Sequence, residues 1–158
     1  MEKLLVDTNI VIDLLSKRED FFQEAQELFT LADNKKVKLY VSALTFANTH
    51  YLLSKHQKLD QARKTLIKFK VLVEVSPLDD KIVELALVSD FKDFEDAIQY
   101  HTALENGIDI IITRNKKDFK NSKLPIMAAK EYLNKYAPTA NSRFAKAGGG
   151  RASVKVKC

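Results

Sequence analysis

Three aspartates stand at points where this 158-residue chain passes between apolar and polar sequence. Asp7 ends a short apolar run, Asp96 borders an apolar stripe, and Asp118 follows a second, longer apolar run. Carboxylate oxygens are hard ligands of the kind that Mg²⁺ and Mn²⁺ prefer. Such a cation activates water and stabilises the charge that grows on a phosphate during an in-line displacement. If the three side chains meet in the fold, they predict metal-dependent hydrolysis of a phosphodiester.

The first two of these aspartates also have a structural interpretation. Asp7, Thr8 and Asn9 are all good N-cap residues for the helical pattern that follows them. The acids at positions 93, 95 and 96 are favoured at the start of a helix because they complement its dipole. Asp96 differs from its neighbours because it precedes the buried stripe, where a carboxylate needs a partner or a metal. The residues alone leave both interpretations open.

The elements that would position these acids alternate between strand and helix patterns. That alternation predicts an α/β fold, with helices on both faces of a mostly parallel central sheet of four to five strands. The predicted strands cover residues 4–6, 38–42, 71–75 and 108–113, with a short edge strand at 124–126. Ligands of parallel sheets bind just beyond the carboxyl ends of the strands. Asp7 and the loop from Thr113 to Asp118 should therefore share one edge, and the helix that opens near Asp96 can bring its first turn there.

Apolar residues recur at spacings of three and four between the predicted strands, as amphipathic helices require. Ser42 is expected to cap one helix. The predicted buried face of that helix consists of Leu44, Ala47, Tyr51 and Leu52. Ser76 and Pro77 are expected to begin another helix, with a cap residue and a proline in the first turn. Gly107 is expected to end the helix that starts at the acidic cluster, as its C′ residue.

The composition restricts the class of protein. A chain with 46% hydrophobic and 30% charged residues is typical of a soluble globular protein. The one cysteine, Cys158, cannot form an internal disulfide, which fits a cytoplasmic location. No apolar run approaches the ~20 residues that span a bilayer, so no membrane partner is expected. The net charge of +5 favours an anionic partner, of which nucleic acid is the commonest.

The last part of the chain differs from the rest. Residues 1–136 carry the alternating pattern and are long enough for one domain with a full hydrophobic core. Residues 137–158 contain small polar residues, three consecutive glycines and a basic end, which cannot sustain a packed element. They are predicted to form a flexible basic tail.

Four short segments, in this order, resemble the motifs of the PIN domain. They are Val6–Ile10, Val41–Thr45, Glu95–Gln99 and Ile111–Phe119. The resemblance extends over residues 3–133 and implies a three-layer α/β/α sandwich around a parallel sheet. It also implies a metal-dependent ribonuclease site, as in the VapC-type toxins of bacterial toxin–antitoxin pairs. Those toxins usually form homodimers and are inhibited by a small antitoxin protein that covers the site.

The resemblance assigns roles to individual positions. Asp7 matches the first acid of the motif, Asp96 the third, and Thr113 the hydroxyl residue at the end of the fourth strand. Two positions differ from the pattern. Asn48 stands where the helix after the second strand normally carries Glu, and Asn115 stands where Asp is common. An amide offers a neutral oxygen in place of a charged one, and ligand charge is a main determinant of affinity for a divalent cation.

The first functional hypothesis is therefore an endoribonuclease. Asp7 and Asp96 would hold Mg²⁺ or Mn²⁺, directly or through water. Asp118 and Asn115 would complete the ligands, and Asn48 would position a ligand or a water molecule.

Other charges near the proposed site bear on this hypothesis. Arg114, Lys116 and Lys117 follow the fourth strand and would engage the RNA backbone. Glu95 and Asp93 can supply missing negative charge, although their place in the first turn of a helix favours solvation.

Two other functions compete with the endoribonuclease. Asn48 and Asn115 also fit a catalytically weakened domain that binds RNA or a protein partner. Phosphoryl transfer through Asp7 as a nucleophile, as in haloacid-dehalogenase-like phosphatases, would want a second acid two residues later. This chain has Asn9 at that position, which ranks the phosphatase below the other two.

Overall fold

The computed structural model describes residues 1–136 and places five short strands in one sheet. The strands are β1 (Lys3–Val6), β2 (Lys38–Ser42), β3 (Glu74–Ser76), β4 (Ile110–Ile112) and β5 (Ile126–Met127). Every neighbouring pair is parallel, and the order across the sheet is β3-β2-β1-β4-β5. The mostly parallel sheet of four to five strands predicted from the sequence is confirmed.

Helices cover both faces of this sheet. Those of the described residues are α1 (Thr8–Leu15), α2 (Phe22–Asp33), α3 (Ala43–Ser54), α4 (Leu59–Lys70), α5 (Asp80–Leu87), α6 (Phe94–Glu105) and α7 (Ala129–Tyr136). Successive strand residues face opposite sides of a sheet. Leu4 and Val6 therefore pack with residues of α1, α2, α4 and α7, whereas Leu5 packs with α6. The expected α/β/α arrangement is confirmed.

The strand order changes direction at β1. From β1 the chain builds outward through β2 and β3, and it then crosses to the other side of β1 to form β4 and β5. Open parallel sheets bind ligands in the crevice that such a change of direction leaves beyond the carboxyl ends of the strands. Asp7 directly follows β1 and Thr113 directly follows β4, so these two residues lie at the crevice.

The buried face of α3 differs from the prediction. Its buried residues are Thr45, Thr49 and Leu53. Exposed instead are three residues that were predicted to be buried, namely Ala47, Tyr51 and Leu52. Thr45 tolerates burial because its hydroxyl accepts a 2.9 Å hydrogen bond from the side-chain amide of Gln99. A pattern based on hydrophobicity misplaces a helix face that buries threonine side chains.

The start of α5 also differs from the prediction. Ser76 ends β3, and α5 begins at Asp80 with Asp79 as its cap. The Asp79 carboxylate accepts a backbone hydrogen bond of 3.0 Å from the first turn of the helix. The ring of Pro77 restricts the preceding residue to extended conformations, and this restriction keeps Ser76 in the strand. The strand also starts later than predicted, at Glu74, whereas the predicted range was 71–75.

The end of α6 agrees with the prediction. Gly107 follows the C-cap residue Asn106 and has a φ angle of +61°, the left-handed conformation that suits glycine at C′. The turn brings the chain directly into β4.

Among residues 1–136, no helix combines the length and apolar content needed to cross a bilayer. The flexible basic tail predicted for residues 137–158 lies outside the described residues.

Candidate active site

The centre of the site is a hydrogen bond between the ends of β1 and β4. The Thr113 hydroxyl donates to Oδ2 of Asp7 at 2.7 Å, and the backbone N–H of Asp7 donates to the Ile112 carbonyl at 2.9 Å. Thr113 is fully buried and Asp7 is 6% exposed. Residues 106 positions apart are thus fixed together where the strand order changes direction.

Asp7 also caps α1, which confirms the structural interpretation of this residue, and its role as a metal ligand stays a prediction. Its Oδ1 accepts the backbone N–H of Thr8 at 2.7 Å. Burial raises the pKa of Asp7, although the hydrogen bonds from Thr113 and Thr8 act in the opposite direction. The negative charges of Asp118 and Asp93 raise this pKa further.

Asn9 joins these groups, a role that the sequence analysis did not assign to it. Its amide nitrogen donates to Asp7 Oδ2 and to the Thr113 hydroxyl, both at 3.3 Å. Its carbonyl oxygen accepts the backbone N–H of Arg114 at 3.4 Å. The sequence signal for this role was an asparagine two residues after Asp7 at the end of β1. Only the order of the strands shows that its side chain reaches the segment after β4.

The first turn of α6 brings further carboxylates to the same edge. Asp93 caps the helix, and its Oδ1 accepts the backbone N–H of Asp96 at 3.0 Å. Burial raises the pKa of Asp96 to about 7, and its charged neighbours Asp7, Asp93, Asp118 and Glu95 add to the effect. All four of these neighbours are acids, which means that Asp96 lies in a concentration of negative charge.

A cavity of about 230 Å³ opens in front of these acids. Its lining consists of Asp90, Phe91, Lys92, Asp93, Asp96, Lys117, Asp118, Lys120 and Asn121. Asp118 belongs to a short 3₁₀ helix, Lys116–Phe119, that follows β4 and is exposed to solvent. Asp96 and Asp118 thus line one cavity, and Asp7 lies near enough to both that its charge raises the pKa of Asp96 and the charge of Asp118 raises its own pKa.

Asn48, the neutral residue on α3, faces Glu95. Its amide nitrogen donates to Glu95 Oε1 at 2.9 Å. Burial raises the pKa of the half-buried Glu95, as do the charges of Asp7 and Asp93, while hydrogen bonds from Asn48 and Thr8 lower it. Glu95 is therefore only partly exposed, because Asn48 of α3 lies against it, whereas the sequence favoured solvation.

Asn115 lies elsewhere. Its backbone N–H donates to the Thr113 hydroxyl at 3.1 Å. Asn115 lines a second cavity, of about 330 Å³, together with Asp13, Phe21 and Arg114. Asn115 therefore lies at the second cavity. Asp118 is the acid that the segment after β4 contributes to the first cavity.

Two of the three basic residues predicted to contact RNA have partners within the chain. Arg114 forms a bidentate pair with Asp13 at 2.8 and 3.0 Å and lies 4.1 Å from the centre of the Phe21 ring. Lys116 bonds both carboxylate oxygens of Glu131 at 2.9 Å. Lys117, in contrast, lines the acidic cavity.

The donor set fits a hard divalent cation. Among the described residues, no three His, Cys, Asp or Glu side chains are already arranged around one point for direct coordination. Mg²⁺ usually keeps several water ligands and uses only one or two protein carboxylates. Asp7, Asp96 and Asp118 are thus suited to a cation held partly through water, which would offset the repulsion that adds to burial in raising the pKa of Asp96.

Known proteins resemble this chain over nearly all of the described residues. Ribonuclease VapC1 of Aquifex aeolicus is 27% identical over 143 residues, which cover 85% of this chain and 96% of that protein. A toxin–antitoxin complex from Klebsiella pneumoniae contains a chain of 26% identity with a TM-score of 0.59, covering 80% of this chain and 97% of that one. DNA-bound VapBC from Salmonella typhimurium gives a TM-score of 0.62 at 18% identity, covering 82% and 99%.

The sequence also matches a family as a whole. The family model for the PIN domain matches residues 3–117, which include β1 to β4 and every acid of the site except Asp118. A match of that extent, together with the parallel sheet and the acids at its switch point, identifies the chain as a member of the PIN domain family.

Proposed function

We propose that this protein is a metal-dependent endoribonuclease and the toxin of a toxin–antitoxin pair. The observation that supports it most directly is the convergence of Asp7, Asp96 and Asp118, none of which forms an ion pair with a base of the described residues. Uncompensated carboxylates of this kind repel one another, and a bound divalent cation relieves the repulsion. The 27% identity to a ribonuclease of matching length supports the same conclusion.

Each residue has a part in the proposed site. Asp7 and Asp96 would hold Mg²⁺ or Mn²⁺, and Asp118 would contribute through water. Thr113 and Asn9 hold the Asp7 carboxylate in place through hydrogen bonds of 2.7 and 3.3 Å. The cation, when bound, supplies an activated water and stabilises the charge that develops on the scissile phosphate.

Lysines beside the acids are suited to the substrate backbone. Lys92, Lys117 and Lys120 line the acidic cavity. Phosphate contacts from such side chains position a nucleic acid without reading its sequence, and they make binding sensitive to salt. We therefore assign the RNA backbone to this rim, and we place the reaction in the cytoplasm, where RNA substrates are found.

The proposal includes two protein partners, a small antitoxin and a second copy of the chain. The similar chain from Klebsiella pneumoniae occurs in a toxin–antitoxin complex. Large apolar side chains on α3 and α5 are exposed here, with Tyr51 at 62%, Leu87 at 66% and Val88 at 82%. Light scattering on the chain alone should give the mass of a dimer, and a monomer at micromolar concentration would contradict this part of the proposal.

The central test is RNA cleavage by the purified chain. Cleavage is expected with Mg²⁺ or Mn²⁺, and it should stop on addition of EDTA and in Asp96→Asn. The matched control is Asp80→Asn, because Asp80 is an exposed acid in the first turn of α5, as Asp96 is in the first turn of α6. Control protein should retain wild-type cleavage.

The same experiment tests the second candidate function, a catalytically weakened module that binds RNA or protein. The neutral Asn48 favours that alternative, because it removes a charge from α3. If the wild-type protein does not bind metal and does not cleave RNA, but still retains RNA in a filter-binding assay, the binding module would be the correct function.

A further inference from the structure

A neutral amide on one helix faces a charged group on another at the edge of the acidic site. Asn48 lies on α3 and Glu95 lies in the first turn of α6, and the Asn48 amide nitrogen is 2.9 Å from Glu95 Oε1. An amide NH₂ group donates and a carboxylate accepts. This contact therefore orients Glu95 and leaves its negative charge intact, with one carboxylate oxygen free of the Asn48 bond.

The other neighbours of Glu95 place it beside Asp7. The Thr8 hydroxyl, one residue from Asp7, also hydrogen-bonds Glu95. The charge of Asp7 acts on Glu95 strongly enough to raise its pKa, with burial as the larger cause. Glu95 is half-buried, and its Oε1 is the atom that faces Asn48.

Buried side chains hold this arrangement from behind. The Thr8 hydroxyl lies 3.1 Å from that of Thr45, which accepts a 2.9 Å hydrogen bond from the Gln99 amide. Thr45 and Gln99 are fully buried. Since Gln99 is one turn after Glu95 on α6, the network fixes the rotation of that helix relative to α1 and α3.

A purely structural tie between α3 and α6 would not require a charge. A glutamine at position 95 has the same shape and its carbonyl oxygen accepts the same hydrogen bond. Placing a charged group there, next to Asp7, Asp93 and Asp96, costs stability through repulsion unless a ligand offsets it. The contact between the helices thus does not require the charge, which the helix dipole favours at this position and which a bound cation would offset further.

Resting on the proposed metal-dependent function, we propose that Glu95 is a ligand of the divalent cation, directly or through one water, and replaces the acid that Asn48 lacks. Asn48 and Thr8 are positioning residues that orient its carboxylate. The negative charge that the family pattern places on α3 is in this chain delivered from the first turn of α6.

The test measures Mn²⁺ affinity directly, by titration calorimetry and by the electron paramagnetic resonance signal of free Mn²⁺. Glu95→Gln should weaken binding by about 10- to 100-fold, as loss of a group that holds a metal typically does. The matched control is Glu74→Gln, which removes the same charge from the first residue of β3 in an exposed pair with Lys38. This control should bind Mn²⁺ as wild type does.

An exchanged pair makes the test specific. Asn48→Glu combined with Glu95→Gln returns the carboxylate to α3 and keeps one donor and one acceptor at the contact. The exchanged pair should recover most of the affinity lost in Glu95→Gln, and thermal denaturation in EDTA should show that each variant is folded. Failure of the pair to recover affinity would overturn the claim that both positions serve one ion.

The outcomes separate this inference from the function on which it rests. If Glu95→Gln binds Mn²⁺ as tightly as wild type while Asp96→Asn does not bind, the inference about Glu95 is wrong and the metal site stands. If wild-type protein itself does not bind Mn²⁺, the proposed function fails and the inference fails with it.

Discussion

Two buried aspartates six residues apart, Asp7 and Asp13, have different kinds of hydrogen-bond partners. Asp13 is 1% exposed and forms a bidentate pair with Arg114 at 2.8 and 3.0 Å, with Arg18 at 3.9 Å. Asp7 is 6% exposed, and it accepts hydrogen bonds from a hydroxyl, a backbone amide and the Asn9 side-chain amide. A buried charge matched by the chain's own base serves the fold, whereas one matched only by neutral donors is available to a ligand.

The largest expected difference between the two aspartates lies in their isosteric amide variants. Asp7→Asn should reduce RNA cleavage by about a thousandfold, equivalent to ~4 kcal/mol in the barrier, because it removes a proposed metal ligand. Its melting temperature in EDTA should change far less than that of Asp13→Asn, since removal of a buried charge offsets the hydrogen bond that the amide nitrogen cannot accept. Cleavage rates and thermal denaturation of the same preparation measure both effects.

Asp13→Asn provides the reverse case. It should lower the melting temperature clearly while cleavage per folded molecule falls far less than in Asp7→Asn. Equal losses of stability in the two variants would show that Asp7 also serves mainly the fold, and would remove the distinction.

The second effect in size concerns the base that neutralises Asp13. Arg114→Met should lower the free energy of unfolding by about 3 kcal/mol, because a buried carboxylate loses its bidentate partner. Arg18→Met, which removes only the half-exposed contact at 3.9 Å, should cost less than about 1 kcal/mol. Urea denaturation measures the free energy of unfolding of both variants. Similar decreases in the two would show that the bidentate geometry of Arg114 does not add to stability.

A third effect depends on pH and on metal. The pKa of Asp96 is raised to about 7 in the fold, above its value of about 3.9 in an unfolded chain. Between these values the folded state binds more protons, so this group makes the metal-free protein less stable as pH rises from about 4 to about 7. A cation that binds the ionised form should therefore raise the melting temperature by several degrees at pH 8 and by little at pH 5.

Thermal denaturation in EDTA and in Mn²⁺ across this range measures the effect. Asp96→Asn should flatten the metal-dependent difference, and Asp80→Asn should preserve it. Stabilisation by Mn²⁺ of the same size at pH 5 and pH 8 would contradict the assignment to a carboxylate with a raised pKa.

The smallest effect comes from an ion pair at the surface. Lys116 and Glu131 are about half exposed and their side chains lie 2.9 Å apart. Lys116→Met should change the free energy of unfolding by no more than about 0.5 kcal/mol. Urea denaturation in low salt measures this change. If Lys116→Met lowered the free energy of unfolding as much as Arg114→Met does, burial would not determine how strongly an ion pair stabilises this protein.

Sequence patterns were sufficient where one strand end decided the position of a residue. Asp7 and Thr113 each follow an apolar run, and parallel strands bring such residues to one edge, so their meeting could be predicted. The parallel sheet and the alternation of strands with helices followed from the same patterns. Asp96 was also predictable, because a helix that opens at this edge delivers its first turn there.

Patterns failed where contacts between helices decided the outcome. Glu95 looks like a solvated first-turn acid until α3 is seen to cover it with Asn48. The buried face of α3 carries Thr45 and Thr49, which a hydrophobicity pattern counts as exposed. Asn115 was expected among the metal ligands but lines the cavity beside Arg114, because the direction of its side chain depends on the loop and not on its distance from β4.

The hydrogen bond from Thr113 to Asp7 spans 106 positions of the sequence. A ribosome must therefore translate most of this domain, and release it from the exit tunnel, before the first acid can meet its partner on β4. A nascent chain lacks an assembled catalytic centre throughout that time. For an enzyme proposed to attack RNA, such a delay would protect the machinery that makes it and give an inhibitor time to be present when the last strands join.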